Sequence, residues 1–285
     1  AQVGLRLEAL AEITAVKREK QAAIVHDWQN KWALEGSCGP RNAGMGYWDE
    51  LKRHYNALAR EGIAVEFVDQ NADLTGYGLV VVPMLYLLTD AFAKKLCAFA
   101  QNGGTVIVTY WSGVVDESDL CRLGDTPYGL TELLGLRRTE IDGMYDGETR
   151  RCMPAAGCTL PAAQASTLCE VAALNEKDPA EPLSLYDEDY FAGHPAAAVH
   201  RYGKGRAYYL ASRFDKAFYR AFYHDAAKEI GLSPAWPEAL PEGVLAVRRG
   251  SFVFVQNCTE QPVTVGNTVL DRYRTAVWKD MDRIF

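Results

Sequence analysis

Three short runs in this chain carry almost no polar residue: Ala22-Ala23-Ile24-Val25, Leu79 to Pro83, and Thr105 to Thr109. A run without polar alternation has to be covered on both faces, as a strand inside a parallel sheet is. The segments between them read as helices. Tyr47 to Arg60 sets Leu51, Tyr55 and Leu58 on one face and stops at Gly62, while Thr89 to Asn102 opens on Thr-Asp and stops at Gly103-Gly104. Ile63 to Val68 adds a strand and Leu130 to Leu136 a short helix. Strand and helix taking turns implies a sheet wrapped by helices. About five parallel-strand candidates occur, fewer than the eight of a closed (β/α)8 barrel. The expected fold is α/β, an open doubly wound and mostly parallel sheet.

The flanks differ. Leu5 to Lys20 reads as a helix through Leu5, Leu7, Leu10, Ile13 and Val16. Arg137 to Ala180 reads as irregular, rich in Ala, Pro and Cys. Ala196 to Arg201 and Gly205 to Leu210 form a hairpin around Tyr202-Gly203-Lys204, and Phe214 to Ile230 a helix closed by Gly231. After a linker containing Pro234, Pro237 and Pro241, short β runs follow at Val244 to Val247, Phe252 to Gln256 and Pro262 to Val265, without helices between them. They predict a small antiparallel β domain. The expected division is a linker helix at 1–20, the α/β domain at 21–233, and the β domain at 238–285.

Charge narrows the partners. Thirty Lys and Arg against 37 Asp and Glu leave a net charge of −7. A dispersed acidic balance suits neither nucleic acid nor an anionic membrane. The longest apolar run, Leu79 to Leu88, is about half of what a bilayer span needs. No secretory signal opens the chain, and an odd count of seven Cys with no CxxC predicts free thiols in the cytoplasm. Cys152, Cys158 and Cys169 fit no zinc spacing and have no His among them, so neither metal nor cofactor is expected. Asn257-Cys258-Thr259 matches a glycosylation sequon that a cytoplasmic chain would not use.

Ligands of open α/β sheets meet the carboxyl ends of the strands. Here those ends carry Asp27, Trp28, Trp32 and Glu35 after the first strand, Tyr86 after the third, and Tyr110, Trp111, Ser112, Asp116 and Glu117 after the fourth. Trp faces and carboxylates serve a sugar site and a protein interface equally well. Trp111-Ser112-Gly113 lacks the first Gly of a nucleophile elbow, because Tyr110 stands there, so Ser112 reads as a loop residue. His26, at a strand end, is the best general-base candidate among five His, although a His satisfied by local hydrogen bonds is the simpler reading. Gly36, Gly39, Gly44 and Gly46 do not follow the G-x-G-x-x-G spacing of a phosphate loop. Asp116 and Glu117 are adjacent, so they would point apart rather than form a hydrolytic pair.

Four segments in order resemble glycoside hydrolase family 42 β-galactosidases. Asp27-Trp28-Gln29-Asn30-Lys31-Trp32-Ala33-Leu34-Glu35 is similar to that family's D-W-x-x-x-W-A-L-E. Leu79 to Tyr86 resembles its V-x-P-x-L-Y strand, Gly103 to Glu117 its G-G-T…S-G-x-V-D-E segment, and Tyr202 to Ala211 its later hairpin. The resemblance implies a middle domain, flavodoxin-like and related in shape to class I glutamine amidotransferases, that makes the family's trimers, followed by a small β domain. It implies that Leu5 to Lys20 leaves a catalytic barrel, so that the chain starts at a cut. No residue here matches the barrel's catalytic glutamates, so no catalytic position is carried over. The implied partners are two further copies of the chain and the barrel, with galactoside bound only in the complete enzyme. The alternatives are an independent amidotransferase-like hydrolase, or a carbohydrate-binding module using the same aromatics.

Overall fold

A computed structural model describes residues 2–17, 19–37, 39–40, 44–280 and 282–284. Cys38 and the middle of the Gly36 to Gly46 loop lie outside them. The chain runs α1 (Gln2–Ala9), β1 (Ala22–Val25), α2 (Trp28–Gly36), α3 (Tyr47–Arg60), β2 (Val65–Val68), β3 (Leu79–Val82), α4 (Asp90–Gln101), β4 (Thr105–Thr109) and α5 (Thr131–Leu134). It continues with β5 (Leu136–Gly143), β6 (Thr149–Pro154), β7 (Ala163–Leu174), β8 (Glu181–Tyr186), β9 (Pro195–Tyr202), β10 (Gly205–Leu210), β11 (Ser212–Phe214) and α6 (Lys216–Ile230). The last strands are β12 (Val244–Arg249), β13 (Phe252–Asn257), β14 (Val263–Val265), β15 (Thr268–Leu270), β16 (Thr275–Lys279) and β17 (Asp282–Arg283).

The first eleven strands form one mixed sheet in the order β11-β7-β6-β8-β9-β10-β4-β3-β1-β2, with β5 on β7. The apolar runs sit where two-sided burial requires. In β1, Ala22 and Ile24 enter the core on one face and Ala23 and Val25 the core on the other. In β3, Leu79 and Val81 are split from Val80 and Val82 in the same way. Helices α3 and α6 cover the first face, α4 and α5 the second. The caps act as their residue types suggest. The Thr89 side chain accepts from the Phe92 N–H at the start of α4, Asp215 accepts from Ala217 and Phe218 at the start of α6, and Gly231 ends α6 in the left-handed conformation.

The sheet is not mostly parallel. Its parallel pairings are β1–β2, β1–β3, β3–β4 and β4–β10, whereas β9–β10, β8–β9, β6–β8, β6–β7, β7–β11 and β5–β7 are antiparallel. Much of the antiparallel half comes from Arg137 to Ala180, which holds three strands, β5 to β7, rather than irregular chain, with β8, β9 and β11 completing it. β5 buries only Leu136 fully, and β7 mixes the polar Thr167 and Glu170 with Ala, Leu, Cys and Val at its buried positions. The β-branched residues that mark a strand locally are sparse in both, Thr139 and Ile141 in β5 and Thr167 and Val171 in β7.

Two helices also differ from expectation. α1 stops at Ala9 and a single 3-10 segment, Ala11–Ala15, follows; Leu5 and Leu7 remain exposed. Trp28 to Gly36, for which no helix is expected from the sequence, is helical, because Asp27 caps it by accepting from the Gln29 and Asn30 N–H groups, so Trp32 and Glu35 stand on a helix. After Gly231, β12, β13, β16 and β17 form a four-stranded antiparallel sheet and β14–β15 a separate hairpin. Trp236 and Trp278 meet edge to face at 4.9 Å within this region's own core.

Candidate functional site

The carboxyl ends of β1, β3 and β4 form one edge, and most of its polar side chains are spent holding it together. Asn30 of α2 donates to the Met84 carbonyl at 3.1 Å and accepts from the Leu87 N–H at 3.0 Å. Thr109 Oγ1 accepts from the Met84 N–H at 2.8 Å, and Ser112 Oγ accepts from the Leu85 N–H at 3.0 Å. Gln70 donates to Asp27 and to the Leu87 carbonyl, and its oxygen accepts from the Thr89 N–H. Buried backbone groups outside a ladder need such partners. Met84 and Trp111 follow β3 and β4 with φ of 44° and 57°, the strained left-handed region for side chains of this size.

Two buried carboxylates anchor the same edge from below. Glu50 of α3 is fully buried and accepts from Arg213 Nε at 2.8 Å, Tyr110 Oη at 3.1 Å and Tyr219 Oη at 2.6 Å, with His54 Nε2 at 3.2 Å. Burial pushes its pKa up, but bonding and charge from His54, with Arg213 and Tyr219, outweigh that and hold it at about 2. Glu170 of β7 accepts from Arg138 Nη1 at 2.7 Å, from the Trp111 N–H at 2.9 Å and from the Tyr209 hydroxyl. Both carboxylates are wholly buried inside the domain, so their networks position the edge.

The ten candidate residues fall into two groups. Asp27 is a helix cap, Tyr110 and Ser112 are wholly buried, and Tyr86 stacks on Trp111 at 5.7 Å beneath the surface. Asp116 closes a turn by accepting from Ser118 and Leu120, and those backbone bonds hold its pKa down. Ser112 therefore has its oxygen committed to the backbone inside the core, and Tyr86 and Trp111 offer no open face. Trp28, Trp32, Glu35 and Glu117 project outward. Glu35 pairs with Lys31 at 2.6 Å and Glu117 with Arg122 at 3.5 Å.

Trp28 and Trp32 are 53% and 63% exposed, and Trp48 of α3 joins them at 43%. His26 stacks on Trp48 at 4.7 Å and meets Trp28 edge to face at 5.0 Å, and Trp32 lies tilted against Trp28 at 6.2 Å. Burial against these rings lowers the His26 pKa; Asp27 opposes it and Lys31 adds to it. Sequence reasoning missed Trp48, because its position at the start of a helix gave no sign that α3 would set it beside His26. Glu50, Arg213, Glu170 and Arg138 were missed too, since their pairing is visible only in three dimensions. Among the described residues no cluster of metal-ligating side chains occurs, and no helix is long and apolar enough to cross a membrane.

Fold and edge together define a mixed α/β scaffold domain whose strand ends are internally latched and whose outward chemistry is aromatic. Residues 20–233 match the β-galactosidase trimerisation domain of glycoside hydrolase family 42, and the chain belongs to that family. It is 44% identical over 266 residues to β-galactosidase BglY of Alicyclobacillus acidocaldarius, covering 91% of this chain and 38% of that protein. It is 35% identical over 277 residues to β-galactosidase GalA of Bacillus licheniformis, covering 95% and 40%. Among solved structures, the cold-adapted β-galactosidase of Rahnella sp. R3 superposes with a TM-score of 0.90 at 38% identity, over 98% of this chain and 43% of that one. The chain thus spans about two fifths of the relatives it matches. Its matched region is the trimerisation domain.

Proposed function

We propose that this chain is the assembly module of a β-galactosidase. It joins three copies into a homotrimer and presents its aromatic edge to a neighbouring subunit or to the catalytic barrel. The complete enzyme would act on terminal β-galactosides, and this chain would perform no hydrolysis itself. The observation that carries the reading is the Trp28–Trp32–Trp48 patch, three large rings on a rigid latched edge with roughly half their surface in water. Exposed Trp clusters of this kind are the usual anchors of an interface. Asp27, Tyr86, Tyr110, Trp111, Ser112 and Asp116 would shape that surface from behind, while Glu35 and Glu117 would lie on its rim.

The parallel half has the strand order β2-β1-β3-β4-β10, the 2-1-3-4-5 order of doubly wound flavodoxin-like sheets, which supports that description and the amidotransferase-like shape. The division into a lead-in at 1–20, the assembly domain at 21–233 and a small β domain at 238–285 is supported by the separate core around Trp236 and Trp278. The free Cys97, Cys121, Cys152, Cys158, Cys169 and Cys258 support a reducing, cytoplasmic setting.

The test is sedimentation of Trp28→Ala, Trp32→Ala and Trp48→Ala beside the parent chain, with circular dichroism to check the fold. Loss of the oligomer with an intact fold supports the reading; an oligomer unaffected by all three removes the patch from the interface. β-Galactoside hydrolysis by the purified chain would refute the non-catalytic assignment.

A further inference from the structure

Away from the aromatic edge, helices α3 and α6 leave a cavity of about 280 Å³ between them. Its floor is Ala57 and Tyr219, both buried, and its walls are Arg53, Arg60, Lys216 and Arg220, with Asn56 between the two arginines of α3. Four cations converging on one small cavity are conspicuous in a chain of net charge −7. The two on α6 also work against the helix that carries them. Lys216 and Arg220 are like charges four residues apart, and Lys216 sits in the first turn of α6, at the positive end of its dipole.

One carboxylate of the chain already uses the cavity's mouth. Glu242, from the linker before β12, meets Arg60 at 3.2 Å and Lys216 at 2.7 Å. Those two cations hold its pKa down, Lys216 first. Arg53 and Arg220 have no ion pair or hydrogen bond among the described residues. Two guanidinium groups are therefore uncommitted, and the internal carboxylate neutralises only part of the site.

We infer that the α3–α6 cavity is a binding site for a small phosphate dianion, with Arg53 and Arg220 as its principal ligands and Glu242 as a built-in competitor at its mouth. Guanidinium forks match phosphate oxygens in pairs, and the cavity is at the small end of ligand-site volumes, so the ligand is inorganic phosphate or the phosphate monoester of a small polyol. Binding would compete with Glu242 for Arg60 and Lys216 and so loosen the linker to the β domain.

The experiment is calorimetric titration of the full chain with inorganic phosphate and, separately, with glycerol phosphate, at ionic strength held constant with sodium chloride. Saturable one-to-one binding is expected. Arg53→Ala and Arg220→Ala should each weaken it about tenfold or more, Glu242→Gln should tighten it, and Lys94→Ala, an exposed cation on α4, should leave it unchanged. Equal affinity for the two ligands would identify free phosphate, and tighter glycerol phosphate binding an ester. The proposal is overturned if neither ligand binds saturably at millimolar concentration, or if Lys94→Ala weakens binding as much as the cavity variants. It is also overturned if Arg53→Ala and Arg220→Ala abolish self-association instead, which would make the cavity a seat for an acidic side chain of a second copy.

Discussion

Arg213 Nε and Glu50 Oε2 meet at 2.8 Å across 163 residues of sequence, joining the strand that ends the mixed sheet to the helix beneath its aromatic edge. Arg213 also donates to the Met45 carbonyl at 2.6 Å and to the Gly46 carbonyl at 3.2 Å, just where α3 begins. Trp48 stands two residues further on. The buried pair therefore sets the position from which Trp48 reaches His26.

Removing one partner should be costly. Glu50→Ala leaves Arg213 buried beside the Tyr110 hydroxyl without a counter-charge, and the Tyr219 hydroxyl without its acceptor. Uncompensated buried charge of this kind costs about 3–5 kcal/mol. Urea unfolding followed by far-UV circular dichroism should show a lower midpoint of that size, and a midpoint unchanged from the parent would contradict the account.

The same carboxylate makes a pH prediction. The folded pKa of Glu50 is depressed to about 2 from the ordinary 4.5. A depressed carboxylate contributes stability that is fully present above its unfolded pKa and is lost as pH falls through the folded one. Stability should therefore decline between about pH 4.5 and 2, and Glu50→Gln should flatten that part of the profile. An identical acid limb in the two proteins would show that other carboxylates govern it.

Gly113 adopts a φ of +64°, and an added Cβ would stand 2.7 Å from the Tyr128 nitrogen, whose N–H donates to the Gly113 carbonyl at 3.1 Å. Gly113→Ala has to strain the backbone and push that loop away. A loss of about 1–3 kcal/mol is expected, read as a lower melting temperature. No change in melting would mean that the loop yields freely.

Ser112→Ala separates the latch from the nucleophile. Its hydroxyl accepts from the buried Leu85 N–H, so the variant should lose about 1–3 kcal/mol of stability and no catalytic activity. A hydrolase activity of the parent that Ser112→Ala abolishes would revive the amidotransferase-like reading. Likewise, a change in Trp fluorescence on titration with galactosides would favour carbohydrate binding by the exposed rings, whereas the assembly account expects none.

The legible part of this fold is the part whose burial is written locally. β1, β3 and β4 are buried on both faces and read as unbroken apolar runs, and α4 and α6 carry Thr89, Asp215 and Gly231 at their ends. β5 to β8 were not legible as strands, because their partners lie across the sheet and Arg, Glu, Ala and Cys occupy much of their length. At the edge, the residue types were readable but not their direction. Trp28 and Trp111 look alike in sequence, yet α2 turns one outward while Tyr86 covers the other. That difference is made by Asn30, Thr109 and Ser112 bonding to the loop after β3, a set of tertiary contacts with no local signature.

Assembly is the central claim, and absolute mass in solution tests it most directly. Light scattering across a concentration series should give three times the 31.5 kDa of one chain, with the plateau lost in Trp28→Ala. A mass that stays at 31.5 kDa up to the highest concentration would contradict self-assembly through this chain.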